Sequence, residues 1–119
     1  MKLSIVSTLY NSAEYVEEFT ERCQKVAQQL VGQDYEIILV DDGSPDNSLE
    51  IAIELCKTNK NLRVIELSRN FGHHHAMMAG LNETQGEKIF LLDSDLEESP
   101  EWLIDFDSFL ENNQIDVVY

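Results

Sequence analysis

Two carboxylates one residue apart, Asp93 and Asp95, follow directly on the apolar run Ile89-Phe90-Leu91-Leu92. Such a run reads as a buried strand, so Asp93-Ser94-Asp95 stands where that strand should leave a sheet. Two hard oxygen donors there suit Mg²⁺ or Mn²⁺, which commonly divides its coordination between one or two carboxylates and the phosphates of a substrate. The chemistry implied is a phosphate ester held through a metal. The same residues also fit a solvated acidic turn, because Leu96-Glu97-Glu98 continues the acidity and Asp is favoured in loops by its backbone hydrogen bonds.

Three further stretches carry chemistry. Thr8-Leu9-Tyr10-Asn11 follows the first apolar run and has no glycine, which disfavours the G-x-G-x-x-G turn of dinucleotide binding. Tyr10 could instead stack on a nucleobase and Thr8 could hydrogen-bond to it; the alternative is that Tyr10 covers the core and Asn11 caps a helix. Asp41-Asp42-Gly43-Ser44 ends the second run, where a carboxylate can accept from a base N–H or from ribose hydroxyls, although Asp-Gly-Ser is also ordinary turn chemistry. Ser68-Arg69-Asn70-Phe71-Gly72-His73-His74-His75 follows the third run. It supplies a local cation, Arg69, suited to a diphosphate, and His73 could lie near a phosphate. Three consecutive histidines on a helix point about 100° apart and cannot converge on one ion.

The elements that must position these residues are legible from periodicity. Short β-branched runs at Leu3–Ser7, Glu36–Val40, Leu62–Leu67 and Lys88–Leu92 alternate with longer amphipathic segments, a βαβαβα series. The first helix is expected to begin with a capping box from Asn11 to Glu14, to bury Tyr15, Val16, Phe19, Cys23, Val26, Ala27 and Leu30, and to end at Gly32. The second is expected to start at Ser44-Pro45 and bury Leu49, Ala52, Ile53 and Cys56. A weaker helix is expected over 71–83, where Gly72 and Gly80 lower the propensity. A fourth starts at Ser99-Pro100 and buries Trp102, Leu103, Phe106, Phe109 and Leu110. Alternation of this kind implies a three-layer α/β/α fold with a mainly parallel sheet and right-handed crossovers, and ligands on such sheets bind beyond the carboxyl ends of the strands. All three loop motifs after strands one, two and four fall at that edge.

Bulk properties bound the rest. The 119 residues make one domain, small for an enzyme with two substrates. The closing run Ile115-Asp116-Val117-Val118-Tyr119 reads as a strand entering a core, so the chain is expected to be cut short there, leaving a sheet edge that could pair with a second copy. Eight Lys and Arg against 23 Asp and Glu give a net charge of −15, which opposes a nucleic-acid backbone and requires a cation or backbone N–H groups for any phosphorylated ligand. Cys23 and Cys56 lack C-x-x-C spacing and lie on apolar helix faces, and the apolar run at 3–6 is short for a secretory leader, so reduced core thiols and a cytoplasmic setting are expected. No stretch approaches the roughly 18 apolar residues of a membrane span.

Taken together, Thr8-Leu9-Tyr10-Asn11, Val40-Asp41-Asp42-Gly43-Ser44, Ser68-Arg69-Asn70-Phe71-Gly72-His73 and Leu92-Asp93-Ser94-Asp95-Leu96 resemble family 2 glycosyltransferases of the GT-A fold, over essentially the whole chain. The Arg-Asn-Phe-Gly-His run and the stretch from Asp95 to Glu101 look most like the polyprenyl-phosphate sugar transferases related to dolichol-phosphate mannose synthase. The resemblance implies a truncated, nucleotide-sugar-binding part of an inverting glycosyltransferase, with Mg²⁺ or Mn²⁺ as cofactor. It implies substrate contacts at Thr8, Leu9, Tyr10, Asn11, Asp41, Asp42, Arg69, His73, Asp93 and Ser94, with Asp93 and Asp95 on the metal. The acceptor would be polyprenyl phosphate or a glycan hydroxyl, and a longer protein would work at the inner membrane face. Many relatives carry Pro where this chain has Thr8, and the family's general base lies beyond Tyr119, so no catalytic residue is assigned.

Three other readings compete. A receiver domain of two-component signalling shares the size, acidity and paired acids, but its acid pair follows the first strand and a later Lys-Pro completes its site; here Asp41-Asp42 follow the second and no Lys-Pro exists. A haloacid-dehalogenase-like phosphatase wants Thr or Val two residues after its Asp-x-Asp, where this chain has Glu97. A non-catalytic nucleotide-sugar-binding fragment is the third.

Overall fold

A computed structural model describes residues 2–92, 100–101, 104 and 117–118. The strands are β1 (Leu3–Leu9), β2 (Tyr35–Asp41), β3 (Leu62–Glu66), β4 (Lys88–Leu91) and β5 (Val117–Val118), and the helices are α1 (Val16–Val31), α2 (Ser48–Thr58) and α3 (His73–Asn82). The strands form one parallel sheet in the order β3-β2-β1-β4-β5. From β1 the chain steps outward to β2 and β3, then returns across β1 to β4, so the direction of winding reverses between β1 and β4. In open α/β sheets that reversal opens a crevice at the carboxyl ends of the two strands. A receiver domain would show the order 2-1-3-4-5 instead, and this sheet therefore excludes that reading.

Period-two alternation explains the layering. In β1 and β2, Leu3, Ile5, Leu9, Tyr35, Ile37 and Leu39 pack with Val16, Phe19, Cys23, Val26 and Ala27 of α1 and Ala52 of α2. Val6, Ile38, Val40 and Leu91 point the other way, onto Ala76 of α3. Both faces of the sheet are covered, which is why every residue of its central strands β1 and β2 is buried, whichever way it points. Gly80 accounts for the low propensity of the third helix: a Cβ there would lie 2.4 Å from Val6 Cγ1 and 3.1 Å from Val40 Cγ2, so the missing side chain lets α3 settle onto the strands.

Two helix starts differ from expectation. α1 begins at Val16 with Tyr15 as N-cap, not at an Asn11–Glu14 capping box, and Asn11 adopts the left-handed region at φ 55°. α2 begins at Ser48 after Asn47, not at Ser44-Pro45. The Ser44 hydroxyl expected to cap α2 instead accepts the Asn11 backbone N–H, across the gap between the β1–α1 and β2–α2 loops. The buried face of α2 is centred on Ala52, with Ile51, Leu55 and Cys56 packed on the core, and Ile53, expected inside, is 43% exposed. The strand expected near the terminus pairs with β4 at Val117 and Val118. Of the fourth helix, Pro100 and Glu101 form a turn and Ile104 packs on the α1 face, while Trp102, Leu103, Phe106, Phe109 and Leu110 lie outside the described residues. No described helix is long and apolar enough to cross a membrane.

Candidate functional site

The loops after β1, β2 and β3 meet at the carboxyl edge of the sheet, and side chains join them pairwise. Thr8 Oγ1 lies 3.1 Å from His73 Nδ1, linking the end of β1 to the first residue of α3. The Asp42 carboxylate accepts the Phe71 N–H at 2.9 Å, linking the end of β2 to the β3–α3 loop. Asp42 N–H donates to the Leu9 carbonyl at 3.0 Å. Gly43, at φ 68°, permits the closest approach: a Cβ there would stand 2.5 Å from Asn70 N and 2.8 Å from the Arg69 carbonyl carbon. Only glycine fits between those backbones.

Each expected contact residue can be placed on this frame. Thr8, Asp41 and Asp42 are almost enclosed; Asn11, Arg69 and His73 are exposed, and Tyr10 is 47% exposed, with its ring available to a planar ligand. Leu9 differs from the others: its side chain is fully buried in the core under α1 and its carbonyl is held by Asp42, so its part is to join two loops. The Arg69 guanidinium lies over the Phe71 ring, 4.7 Å from its centroid, a cation–π contact that orients the cation while leaving it in solvent. His74 is exposed and the His75 ring turns back to the Phe71 carbonyl at 2.8 Å, so the three histidines diverge. Asp93, Ser94 and Asp95 lie outside the described residues. Leu92, just before them, is buried and donates its N–H to the Val6 carbonyl at 3.0 Å.

The electrostatics of Asp41, the last residue of β2, are set by enclosure. Burial pushes the Asp41 carboxyl up from its ordinary value; the Ser44 N–H pulls it back in part, while Glu66, Glu50 and Asp42 raise it further. This edge therefore gathers acids next to an exposed guanidinium and a histidine. Such a set can accept from base or ribose donors on one side and pair with phosphate on the other.

A group that sequence reasoning did not single out holds the β1–α1 loop. Asp46 accepts from both the Ser44 and Ser48 hydroxyls, and those hydroxyls accept the N–H groups of Asn11 and Ser12, each at 2.9 Å. The signal was present in Ser44-Pro45-Asp46-Asn47-Ser48: three short oxygen-bearing side chains at two-residue spacing, where a helix cap needs one.

The family model for "Glycosyl transferase family 2" matches residues 4–119. The chain belongs to glycosyl transferase family 2. It is 50% identical, over its whole length, to a protein of Mycobacterium tuberculosis (strain CDC 1551 / Oshkosh) described as "Putative glycosyltransferases", of which it covers 34%. It is 45% identical over 101 residues, 84% of this chain and 31% of the relative, to an undecaprenyl-phosphate 4-deoxy-4-formamido-L-arabinose transferase of Photorhabdus laumondii subsp. laumondii. Among solved structures, S. aureus TarS 1–349 in complex with UDP-GlcNAc superposes with a TM-score of 0.76 at 30% identity, over 96% of this chain and 32% of that one. A mannosyltransferase of Pyrobaculum calidifontis, PcManGT, in complex with GDP-Man and Mn²⁺, superposes with a TM-score of 0.82 at 21% identity, over 96% of this chain and 33% of that one, a likeness of fold. The chain thus spans about a third of the length of these relatives. Its sheet is that of the GT-A nucleotide-sugar transferases, as the family 2 resemblance implied.

Proposed function

We propose that this chain is the donor-binding part of an inverting glycosyltransferase that moves a sugar from a nucleotide-diphosphate sugar to polyprenyl phosphate or a glycan hydroxyl. The observation that carries the reading is the joining of three loops at one sheet edge through Thr8–His73 and Asp42–Phe71. In this reading Tyr10 stacks on the nucleobase, Thr8, Asn11, Asp41 and Asp42 take polar groups of the base and ribose, and Arg69 with His73 meets the diphosphate. The amino terminus of α3, which has no acidic residue in its first turn, adds a favourable field for that anion.

Asp93 and Asp95, with Ser94 between them, make a hard-oxygen donor set fitted to Mg²⁺ or Mn²⁺. A cation held there would stabilise charge on the departing nucleoside diphosphate. Inversion follows if the acceptor oxygen attacks the anomeric carbon from the face opposite the leaving group. A hydroxyl acceptor needs a base to take its proton, whereas a polyprenyl phosphate arrives already anionic, so this chain's own task is to bind and orient the donor. The naming of the Photorhabdus relative supports a polyprenyl-phosphate acceptor and hence work at the cytoplasmic face of a membrane.

Calorimetry with a panel of UDP- and GDP-sugars tests the reading. Donor should bind with Mg²⁺ or Mn²⁺ and lose at least about tenfold in affinity in chelator, and Asp95→Ala should abolish that metal dependence. Equal binding with and without chelator would defeat the metal role, and no binding of any donor would defeat the reading itself. A turnover assay with polyprenyl phosphate then separates transfer from binding alone.

A further inference from the structure

The β1–α1 loop gives up its helix cap and spends its N–H groups on a neighbour. Consecutive backbone donors of Asn11, Ser12 and Ala13 are taken by Ser44 Oγ at 2.9 Å, Ser48 Oγ at 2.9 Å and Asp46 Oδ2 at 3.1 Å. A hydroxyl can accept in a fixed direction only if its own proton is fixed elsewhere. Here both protons go to one atom: Ser44 and Ser48 each donate to Asp46 Oδ1, the latter at 2.5 Å, and the Ser48 N–H adds a third bond at 3.1 Å. A single carboxylate therefore orients two hydroxyl rotors and directly holds a third amide.

We infer that Asp46 is a positioning residue for nucleotide binding, which fixes the β1–α1 loop and the Tyr10 ring by orienting the Ser44 and Ser48 hydroxyls toward that loop. The inference rests on the proposed donor site. Two independent features of the loop agree with it. Asn11 sits at φ 55°, in the left-handed region that asparagine tolerates better than most residues, and its N–H is one of those captured, so the turn is held on Ser44. Tyr10, immediately before it, is bracketed by Ser12, whose hydroxyl donates to the Tyr10 carbonyl at 3.2 Å. Loss of Asp46 frees the rotors, the three amides lose their aligned acceptors, and the binding-competent loop becomes one conformer among several. Apparent affinity falls by the fraction of time that conformer is populated.

The test uses the whole chain with UDP, GDP and the corresponding nucleosides in Mg²⁺, beside amide hydrogen exchange of Asn11, Ser12 and Ala13. Asp46→Ala is expected to weaken the nucleotide that wild type binds, and its bare nucleoside, by about tenfold, and to remove protection at all three amides. Asp46→Asn keeps a carbonyl acceptor for both hydroxyls and loses only the Ala13 bond, so it should restore affinity to within about threefold of wild type. A side chain that merely stabilised the fold would lower the melting temperature of the alanine variant and leave its affinity below that temperature unchanged. That result overturns the inference, as does an asparagine variant as weak as alanine. Should Asp46→Ala not fold, Ser44→Ala removes the acceptor of the Asn11 N–H and is expected to weaken nucleotide by about threefold; wild-type affinity there counts against the inference. If wild type binds no nucleotide while the three amides are protected in an Asp46-dependent way, the donor-site reading fails and the clamp stands without that function.

Discussion

The two ends of the same sheet each bury a carboxylate and use it differently. At the amino edge, Glu36 is 2% exposed and accepts the Ser4 hydroxyl at 2.6 Å, the Gln85 N–H at 2.7 Å and Arg63 Nη1 at 3.2 Å. Arg63 in turn bonds the Glu83 carboxylate and carbonyl, and Ser4 Oγ accepts the Gly86 N–H, so the cluster pins the α3–β4 turn under β1 and β2. At the carboxyl edge, Asp42 is 4% exposed and, among the described residues, its carboxylate accepts the Phe71 N–H alone. A carboxylate offers about four acceptor sites. Glu36 fills most of them with protein donors and becomes a fastener, whereas Asp42 has fewer of its sites taken by the described residues. Burial alone does not mark a functional acid; the number of donors already committed to it does.

Removing the fastener should give the largest effect. Glu36→Ala strands the Ser4 hydroxyl, the Gln85 N–H and the Arg63 charge and is expected to cost about 2–4 kcal/mol in urea unfolding while leaving nucleotide affinity of the folded chain unchanged. A change in affinity would mean that the two edges are coupled through β1 and β2. Asp42→Ala should show the reverse pattern: nucleotide binding weaker by about tenfold or more, with the unfolding free energy in urea lowered by only about 1 kcal/mol for the lost Phe71 bond. Comparable losses of stability in both variants would break the contrast.

The smallest effect sharpens the comparison within the carboxyl edge. Burial alone would raise the Asp46 carboxyl, but bonds from the Ser44 and Ser48 hydroxyls and from the Ala13 and Ser48 N–H groups outweigh it and hold the group down at about 2. A carboxylate lowered from 3.8 in this way contributes stability above that value and loses it as the pH falls through about 2. Asp41, raised by burial, works in the opposite sense: its protonated form favours the fold, and that contribution fades as the pH rises through its folded value. The stability difference between wild type and Asp46→Asn should therefore be greatest near neutrality and close between pH 4 and pH 2, as read from denaturant midpoints across that range.

Much of this was legible in residues alone. The β-branched runs and the face of α1 follow from burial periodicity, which is a local property, and Gly32 ends α1 at φ 66° as its missing Cβ allows. The helix starts were not legible, because Asn11 and Ser44 have the chemistry of caps and nothing local says that a second loop competes for them. Leu9 shows the same limit: its place beside Tyr10 suggested a contact residue, and only the pleat of β1 turns it into the core.

From order and residue type alone came the family, the parallel α/β/α architecture and the set of loops that carry polar chemistry, since each depends on patterns that a linear chain retains. The fold decided which of those polar groups are already consumed, because hydrogen-bond partners arrive from segments distant in sequence: His73 beside Thr8, the Phe71 N–H on Asp42, and the Asn11 to Ala13 amides on a clamp built on Asp46. A carboxylate's remaining capacity is set by neighbours in space, and no reading along the chain can count them.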